Sequence, residues 1–94
     1  MKNIETLNTI ISHLDEITEA ARDKRFKDCS IPCHRAVVAA EEMEGIDNRR
    51  LLVRLTNRVQ IAARNEPNEL ADFAVYARNH IIRDLMPELQ QIPS

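Results

Sequence analysis

The chain is predicted to fold as a small all-α helical bundle of about four helices. The sequence of 94 residues contains one glycine, Gly45, whereas folds rich in β-strands need many tight turns in which glycine is favoured. Apolar residues also recur every three or four positions over four stretches of the chain, which is the spacing of one helix face. The length suits a single domain over residues 1–94.

The first helix is expected over residues 4–25, with Asn3 as its N-cap. Its apolar residues alternate in three- and four-residue steps, which gives a seam like that of a coiled coil. The seam consists of Ile4, Leu7, Ile11, Leu14, Thr18 and Ala21, and Ile10 and Ile17 widen it. Such a seam packs inside the bundle, the commoner arrangement, or against a second copy in a homodimer.

The second helix is expected over residues 31–44, with Ser30 or Asp28 as its N-cap and Pro32 in its first turn. Gly45 follows as a left-handed stop. The predicted buried stripe is Cys33, Ala36, Val37, Ala40 and Met43. These side chains are mostly small, so a neighbouring helix can approach closely.

The third helix is expected over residues 48–64, with Asp47 as its N-cap, and the fourth over residues 66–86, where Pro87 ends or kinks it. Residues 87–94 are expected to form a short, frayed tail. The buried stripe of the third helix is Leu52, Leu55, Val59 and Ala62 or Ala63. The fourth helix is apolar on two faces, around Phe73 and around Val75, which predicts a central position.

The strongest functional signal is the charge of the third helix. Residues 48–65 carry five arginines and no acid, in a chain whose net charge is −2. Like charges repel one another, so this run requires an opposite charge nearby. A turn of 100° per residue places the arginines opposite the buried stripe, with apolar side chains among them. The predicted contact face is Arg50, Val53, Arg54, Asn57, Arg58 and Ile61.

This face predicts a non-catalytic interaction protein, a regulator or an inhibitor that binds a partner protein with an acidic surface. A second copy is another candidate partner, because Glu41, Glu42 and Glu44 offer a complementary patch. In size and composition the chain resembles the small accessory proteins of bacteria and phages, a resemblance that rests on no motif.

Two other interpretations of the arginine helix remain open. Arg50, Arg54 and Arg58 recur every four residues, a ridge that could meet successive phosphates of a nucleic acid. The acidic net charge and the shortage of aromatic residues for base stacking weigh against it. Alternatively, the arginines pair within the molecule, with acids of the first and fourth helices.

Cys29, Cys33 and His34 form the one metal-like cluster in the sequence. Structural zinc takes four ligands, so His13 or His80 would have to complete the site, which defines a zinc-stabilised module as a third alternative. We expect instead that Cys33 is a core residue, Cys29 a loop thiol, His13 exposed and His80 packed. No motif indicates catalysis, a cofactor or a metal.

The expected location is the cytoplasm. No apolar run approaches the ~20 residues that span a bilayer, and the N-terminus lacks the apolar segment of a signal peptide. Two cysteines four positions apart do not form a disulfide framework.

Overall fold

Every regular element in the described part of the chain is helical. The computed structural model describes residues 2–43 and 48–90, and these contain no strand. The helices are α1 (Lys2–Arg22), α2 (Ser30–Glu42), α3 (Arg49–Asn65), α4 (Leu70–His80) and α5 (Met86–Gln90). Short 3-10 turns, Phe26–Cys29 and Pro67–Glu69, precede α2 and α4. The all-α bundle predicted from the sequence is confirmed.

The four longer helices enclose one core. Helix α1 packs against α2 and α4, and α3 also packs against α2 and α4. A short connection joins α3 to α4, so these two packed helices run antiparallel. The bundle is elongated, with extents of 42 × 19 × 17 Å. Helix α5 lies against α1 at one end of the bundle.

The seam of α1 is the centre of the core. Leu7, Ile10, Leu14 and Ile17 have no exposed surface, whereas Ile4 and Ile11 are partly buried. The seam therefore packs inside the bundle rather than remaining open for a second copy. The centre of the buried face lies closer to Ile10 and Ile17 than was predicted from the three- and four-residue steps.

The predicted stripe of α2 is buried in full, and that of α3 is buried in large part. Leu52, Val59 and Ala62 are buried, but Leu55 is only partly buried. Thr56, which was not predicted to face the core, is buried in its place. Its hydroxyl donates hydrogen bonds to the backbone oxygens of Leu52 and Val53, at 3.0 Å each, so the buried polar group is satisfied.

Helix α1 ends three residues before the predicted end at Arg25, and Lys24 marks the reason. Lys24 has a φ of 61°, in the left-handed region, although it is not a glycine. The Arg25 amide donates to the Ala20 oxygen at 2.8 Å, and the Lys24 amide donates to the Ala21 oxygen at 3.0 Å. This pair of bonds is a Schellman C-cap, which satisfies the last carbonyls and turns the chain towards α2.

The ends of α2 and α3 differ slightly from the prediction. Helix α2 ends at Glu42, two residues early, because Met43 is extended and its side chain is buried in the core. The predicted stop at Gly45 and the predicted N-cap Asp47 lie outside the described residues. Helix α3 follows Asn48, whose side-chain amide donates to a Glu88 carboxylate oxygen at 2.6 Å.

Pro87 was predicted to end or kink the fourth helix after residue 86, and the structure shows that it does not end the helical rod. A π-helical turn, Ile81–Leu85, lies just before it and leads directly into α5. Proline clashes with the carbonyl four residues earlier in an α-helix, and a wider turn relieves that clash. Because the helix continues, Leu89 is 2 % exposed and joins the core. Residues 91–94, the rest of the predicted tail, lie outside the described part.

Candidate protein-interaction site

The six residues of the predicted contact face lie together along one stripe of α3. They form two adjacent rows of four-residue steps, Arg50–Arg54–Arg58 and Val53–Asn57–Ile61, so the helix turn aligns them on a single face. With Glu41 and Arg49 they line a surface depression of about 660 Å³, here called the arginine face. Its residues are Glu41, Arg49, Arg50, Val53, Arg54, Asn57, Arg58 and Ile61.

The arginines of this face differ in what they bind within the molecule. Arg49 donates to the backbone oxygen of Glu41 at 2.6 Å, which ties α3 to the end of α2. Arg58 donates to a Glu66 carboxylate oxygen at 2.7 Å. Arg50 and Arg54 are exposed, and across residues 2–43 and 48–90 neither has an ion pair or a side-chain hydrogen bond. Two guanidinium groups are thus free to bind a ligand.

Apolar surface lies between these charges. Ile61 is 48 % exposed, and Val53 is partly buried beneath the arginines. Asn57 is exposed between them and offers both a donor and an acceptor. A face that combines free arginines with exposed aliphatic surface has the composition typical of a protein interface.

Among the residues that the structure describes, Arg58 is the one arginine of the run that pairs with an acidic side chain. Its partner, Glu66, was predicted as the first residue of the fourth helix, and in the structure it lies in the connection between α3 and α4. The hydrogen bond from Arg58 lowers the pKa of Glu66 below its ordinary value of 4.5. Arg58 therefore has a structural role within the predicted contact face.

Arg64 is separate from the arginine face. It lies near Phe26, Ser30 and Gln60 at a small depression of about 100 Å³ on another side of the bundle. Four of the five arginines in the run thus lie on the arginine face, and Arg64 faces the start of α2.

A second depression, which was not predicted from the sequence, lies between α3 and α4. It measures about 570 Å³ and is called the α3–α4 groove. Its residues are Arg54, Leu55, Arg58, Val59, Glu69, Asp72, Phe73, Tyr76 and Ala77. Arg58 lies over the Phe73 ring, with its guanidinium carbon 4.1 Å from the ring centroid. The one available signal was Tyr76, the only tyrosine of the chain, on a predicted helix.

Cys29, Cys33 and His34 do not converge on a common point. Both thiols are buried, whereas His34 is exposed. Among the described residues, no group of three or more His, Cys, Asp or Glu side chains is placed to hold a metal ion. The Cys29 thiol donates weakly to the backbone oxygen of Ile17 at 3.8 Å, so it belongs to the core rather than to a loop.

Burial controls the ionisation of both thiols. Desolvation, with the nearby Cys29 sulfur, raises the pKa of Cys33 to about 12. Desolvation also raises the pKa of Cys29, and the charge of Asp28 adds to that effect. Thiolate is the nucleophilic and metal-binding form of cysteine, so this site disfavours both chemistries at neutral pH.

The packed environment of His80 was predicted correctly, whereas the predicted exposure of His13 was wrong. His80 is packed as expected: its Nε2 lies 3.3 Å from an Asp84 carboxylate oxygen, and its ring centroid is 6.0 Å from that of Tyr76. His13 was expected to be exposed, but only 15 % of its side chain is. Its Nδ1 lies 3.5 Å from Glu16, and α2 covers this part of α1.

None of the helices in the described ranges combines the length and the apolar character that a membrane span requires. Comparison of the chain with protein-family models, with curated proteins and with solved structures gave no match.

Proposed function

We propose that this protein is a small non-catalytic interaction protein, a regulator or inhibitor, that binds an acidic surface of a partner protein through the arginine face. The observation that carries the proposal is the pair Arg50 and Arg54, which are exposed on α3 without a counter-charge among the described residues. Placing two unpaired like charges four residues apart costs stability in the free protein. Such a cost is recovered when a partner supplies carboxylates.

The recognition follows from the chemistry of the face. An arginine fork meets a carboxylate through two parallel hydrogen bonds, and its stem covers apolar surface. Ile61 and Val53 supply the apolar anchor, and Asn57 supplies a neutral polar contact. Glu66 neutralises Arg58 and, with Phe73, fixes its orientation at the edge of the face, so Arg50 and Arg54 supply the charge that a partner meets. The preferred partner surface therefore has at least two carboxylates around an aliphatic side chain.

The cytoplasm suits this proposal, because Cys29 and Cys33 are free thiols and a reducing compartment keeps thiols in that state.

Affinity capture with matched baits tests the proposal. The baits are the wild-type chain, the variant Arg50→Glu/Arg54→Glu, and a control variant Arg22→Glu/Arg35→Glu with the same change of charge on exposed positions elsewhere. We expect a protein that the wild type and the control retain and the arginine-face variant loses. Equal capture by all three baits contradicts the proposal.

Nucleic acid is the other ligand that free arginines can bind, and salt dependence separates the two. Binding to duplex DNA weakens with salt, with a logarithmic slope of about −0.9 for each phosphate neutralised. We expect no micromolar binding to duplex or single-stranded DNA at low salt. A steep salt dependence that vanishes in Arg50→Glu/Arg54→Glu replaces the proposed protein partner with a nucleic acid.

A further inference from the structure

We propose that the α3–α4 groove is a homodimer interface, in which each chain covers the groove of a second copy across a two-fold axis. This surface is distinct from the arginine face, although Arg54 and Arg58 border both. The proposal does not require the function proposed above, but it shares Arg54 with it. In the dimer Arg54 faces acids of the second copy, and Arg50 remains the unpaired arginine of the arginine face.

The floor of the groove is apolar and partly exposed in the single chain. Leu55, Val59, Phe73 and Ala77 form the floor, and Tyr76 stands beside it with 61 % of its surface exposed. Leu55 and Phe73 carry the exposed part of this apolar patch, since Val59 and Ala77 are each only 1 % exposed. An exposed aromatic residue at such a patch is the type of side chain that anchors interfaces.

Charge is arranged along the groove with opposite signs at its two ends. Since α3 and α4 form an antiparallel hairpin, Arg54 lies at the end remote from the connection, whereas Glu69 and Asp72 lie at the end next to it. The helix rise of 1.5 Å per residue separates Arg54 from Asp72 by roughly 12 Å along the groove. Arg58 does not disturb this pattern, because Glu66 neutralises it.

Such a pattern is complementary to itself. A two-fold interface brings the same patch of each chain together, and an axis perpendicular to the groove makes the two grooves run in opposite directions. Arg54 of one chain then faces Glu69 and Asp72 of the other, and the reciprocal contact repeats on the opposite side of the axis. Tyr76 lies between the two charged ends, so the two copies of Tyr76 meet close to the axis. A second copy of the chain therefore offers apolar surface to the floor of the groove and an opposite charge to each of its ends.

Analytical ultracentrifugation of charge-reversed chains tests this pairing. We expect the wild type to sediment as a dimer at micromolar concentrations. Arg54→Glu alone sets a carboxylate against Asp72 at both ends of the interface, and Asp72→Arg alone sets two guanidinium groups against each other at both ends. Each variant alone is therefore expected to dimerise at least about tenfold more weakly.

Mixing the two variants provides the decisive arm. In a heterodimer of Arg54→Glu with Asp72→Arg, one contact across the axis joins the two wild-type residues, Arg54 and Asp72. The other contact joins the two substituted residues, a glutamate and an arginine. Both contacts therefore pair opposite charges, which neither variant achieves alone. An equimolar mixture is therefore expected to form more dimer than either variant forms alone. Arg35→Glu, on the exposed surface of α2, serves as the control and is expected to remain dimeric.

Three results overturn the proposal: a monomeric wild type across the micromolar range, single variants that remain dimeric, or a mixture that stays monomeric. Tyr76→Ser and Ile61→Glu separate this interface from the arginine face. Tyr76→Ser is expected to abolish the dimer and Ile61→Glu to leave it intact. If Ile61→Glu also abolishes the dimer, the contact lies on the outer stripe of α3 instead of the groove.

Discussion

Arg58 lies over the Phe73 ring, with 4.1 Å between the guanidinium carbon and the centroid of the ring. The same guanidinium donates to Glu66 at 2.7 Å, so one side chain joins α3, the connection and α4. This arrangement orients the arginine at the boundary between the arginine face and the α3–α4 groove.

Replacing Arg58 by lysine is expected to lower the free energy of unfolding, because an ammonium group lacks the planar fork that stacks on a ring while it donates to a carboxylate. The stacking contributes about 0.5–1 kcal/mol at a partly exposed site. Urea denaturation of Arg58→Lys, Phe73→Leu and the double variant measures the coupling. Additive effects of the two single variants show that the two side chains do not interact.

The pH dependence of stability is expected to reflect Glu66. Its pKa is lowered by the hydrogen bond from Arg58, so the carboxylate stabilises the fold fully above its ordinary pKa of 4.5. This contribution is lost as pH falls through the lowered pKa of the folded chain. Unfolding free energies from about pH 6 to about pH 3 should therefore converge for the wild type and Glu66→Gln.

Asp84 needs a control in this measurement, because the hydrogen bond from Arg83 lowers its pKa in the same direction. The comparison is made in an Asp84→Asn background, which removes that second titration. A difference between the wild-type residue and Glu66→Gln that stays constant with pH indicates that the Arg58–Glu66 pair does not stabilise the fold.

Replacing Lys24 by glycine is expected to stabilise the protein. A residue with a Cβ in the left-handed region costs roughly 1–2 kcal/mol, whereas glycine adopts this conformation freely. Part of the gain is offset by the greater freedom of glycine in the unfolded chain, which leaves an expected increase of about 0.5–1 kcal/mol. Thermal unfolding of Lys24→Gly, beside Lys27→Gly as an exposed position of ordinary φ, measures the effect. A loss of stability in both variants contradicts the C-cap.

The two thiols are expected to resist alkylation in the folded protein. With its pKa raised from 9.0 to about 12, Cys33 has on the order of a thousandfold less thiolate at mildly alkaline pH than an unburied cysteine. Iodoacetamide labelling of Cys29→Ala in buffer and in urea compares the folded and unfolded rates. Rapid labelling in buffer contradicts the burial of Cys33. Zinc that survives dialysis of the wild type and is lost in Cys29→Ser restores the zinc-module alternative.

Local periodicity was enough to predict the helices and most of the core. The spacing of Leu7, Leu14 and Val59 identified buried faces, and a turn of 100° per residue was enough to bring the arginine face together on α3. The C-cap was not predictable in the same way, because a lysine occupies a position where glycine is the usual signal. Likewise, Pro87 indicated an end or a kink, and the sequence did not say which; in the structure a π-helical turn precedes it, and Leu85 and Leu89 on either side are buried.

Features that depend on contacts between helices could not be predicted from one sequence. The stacking of Arg58 on Phe73 joins residues of two helices whose relative position periodicity does not define. The same holds for the α3–α4 groove, whose residues come from both helices of the hairpin. His13 was predicted as exposed because its neighbours along α1 are polar, whereas its burial results from α2.

Site-specific photocrosslinking at Asn57 tests the central claim most directly, since this exposed residue lies in the middle of the arginine face. A photoreactive amino acid replaces Asn57 in one chain and His34, exposed on α2, in the control. After irradiation in cells, we expect a discrete adduct from position 57 that protease destroys and nuclease does not, with none from position 34. A nuclease-sensitive adduct, identical adducts from both positions, or no adduct at position 57 contradicts the proposed protein partner.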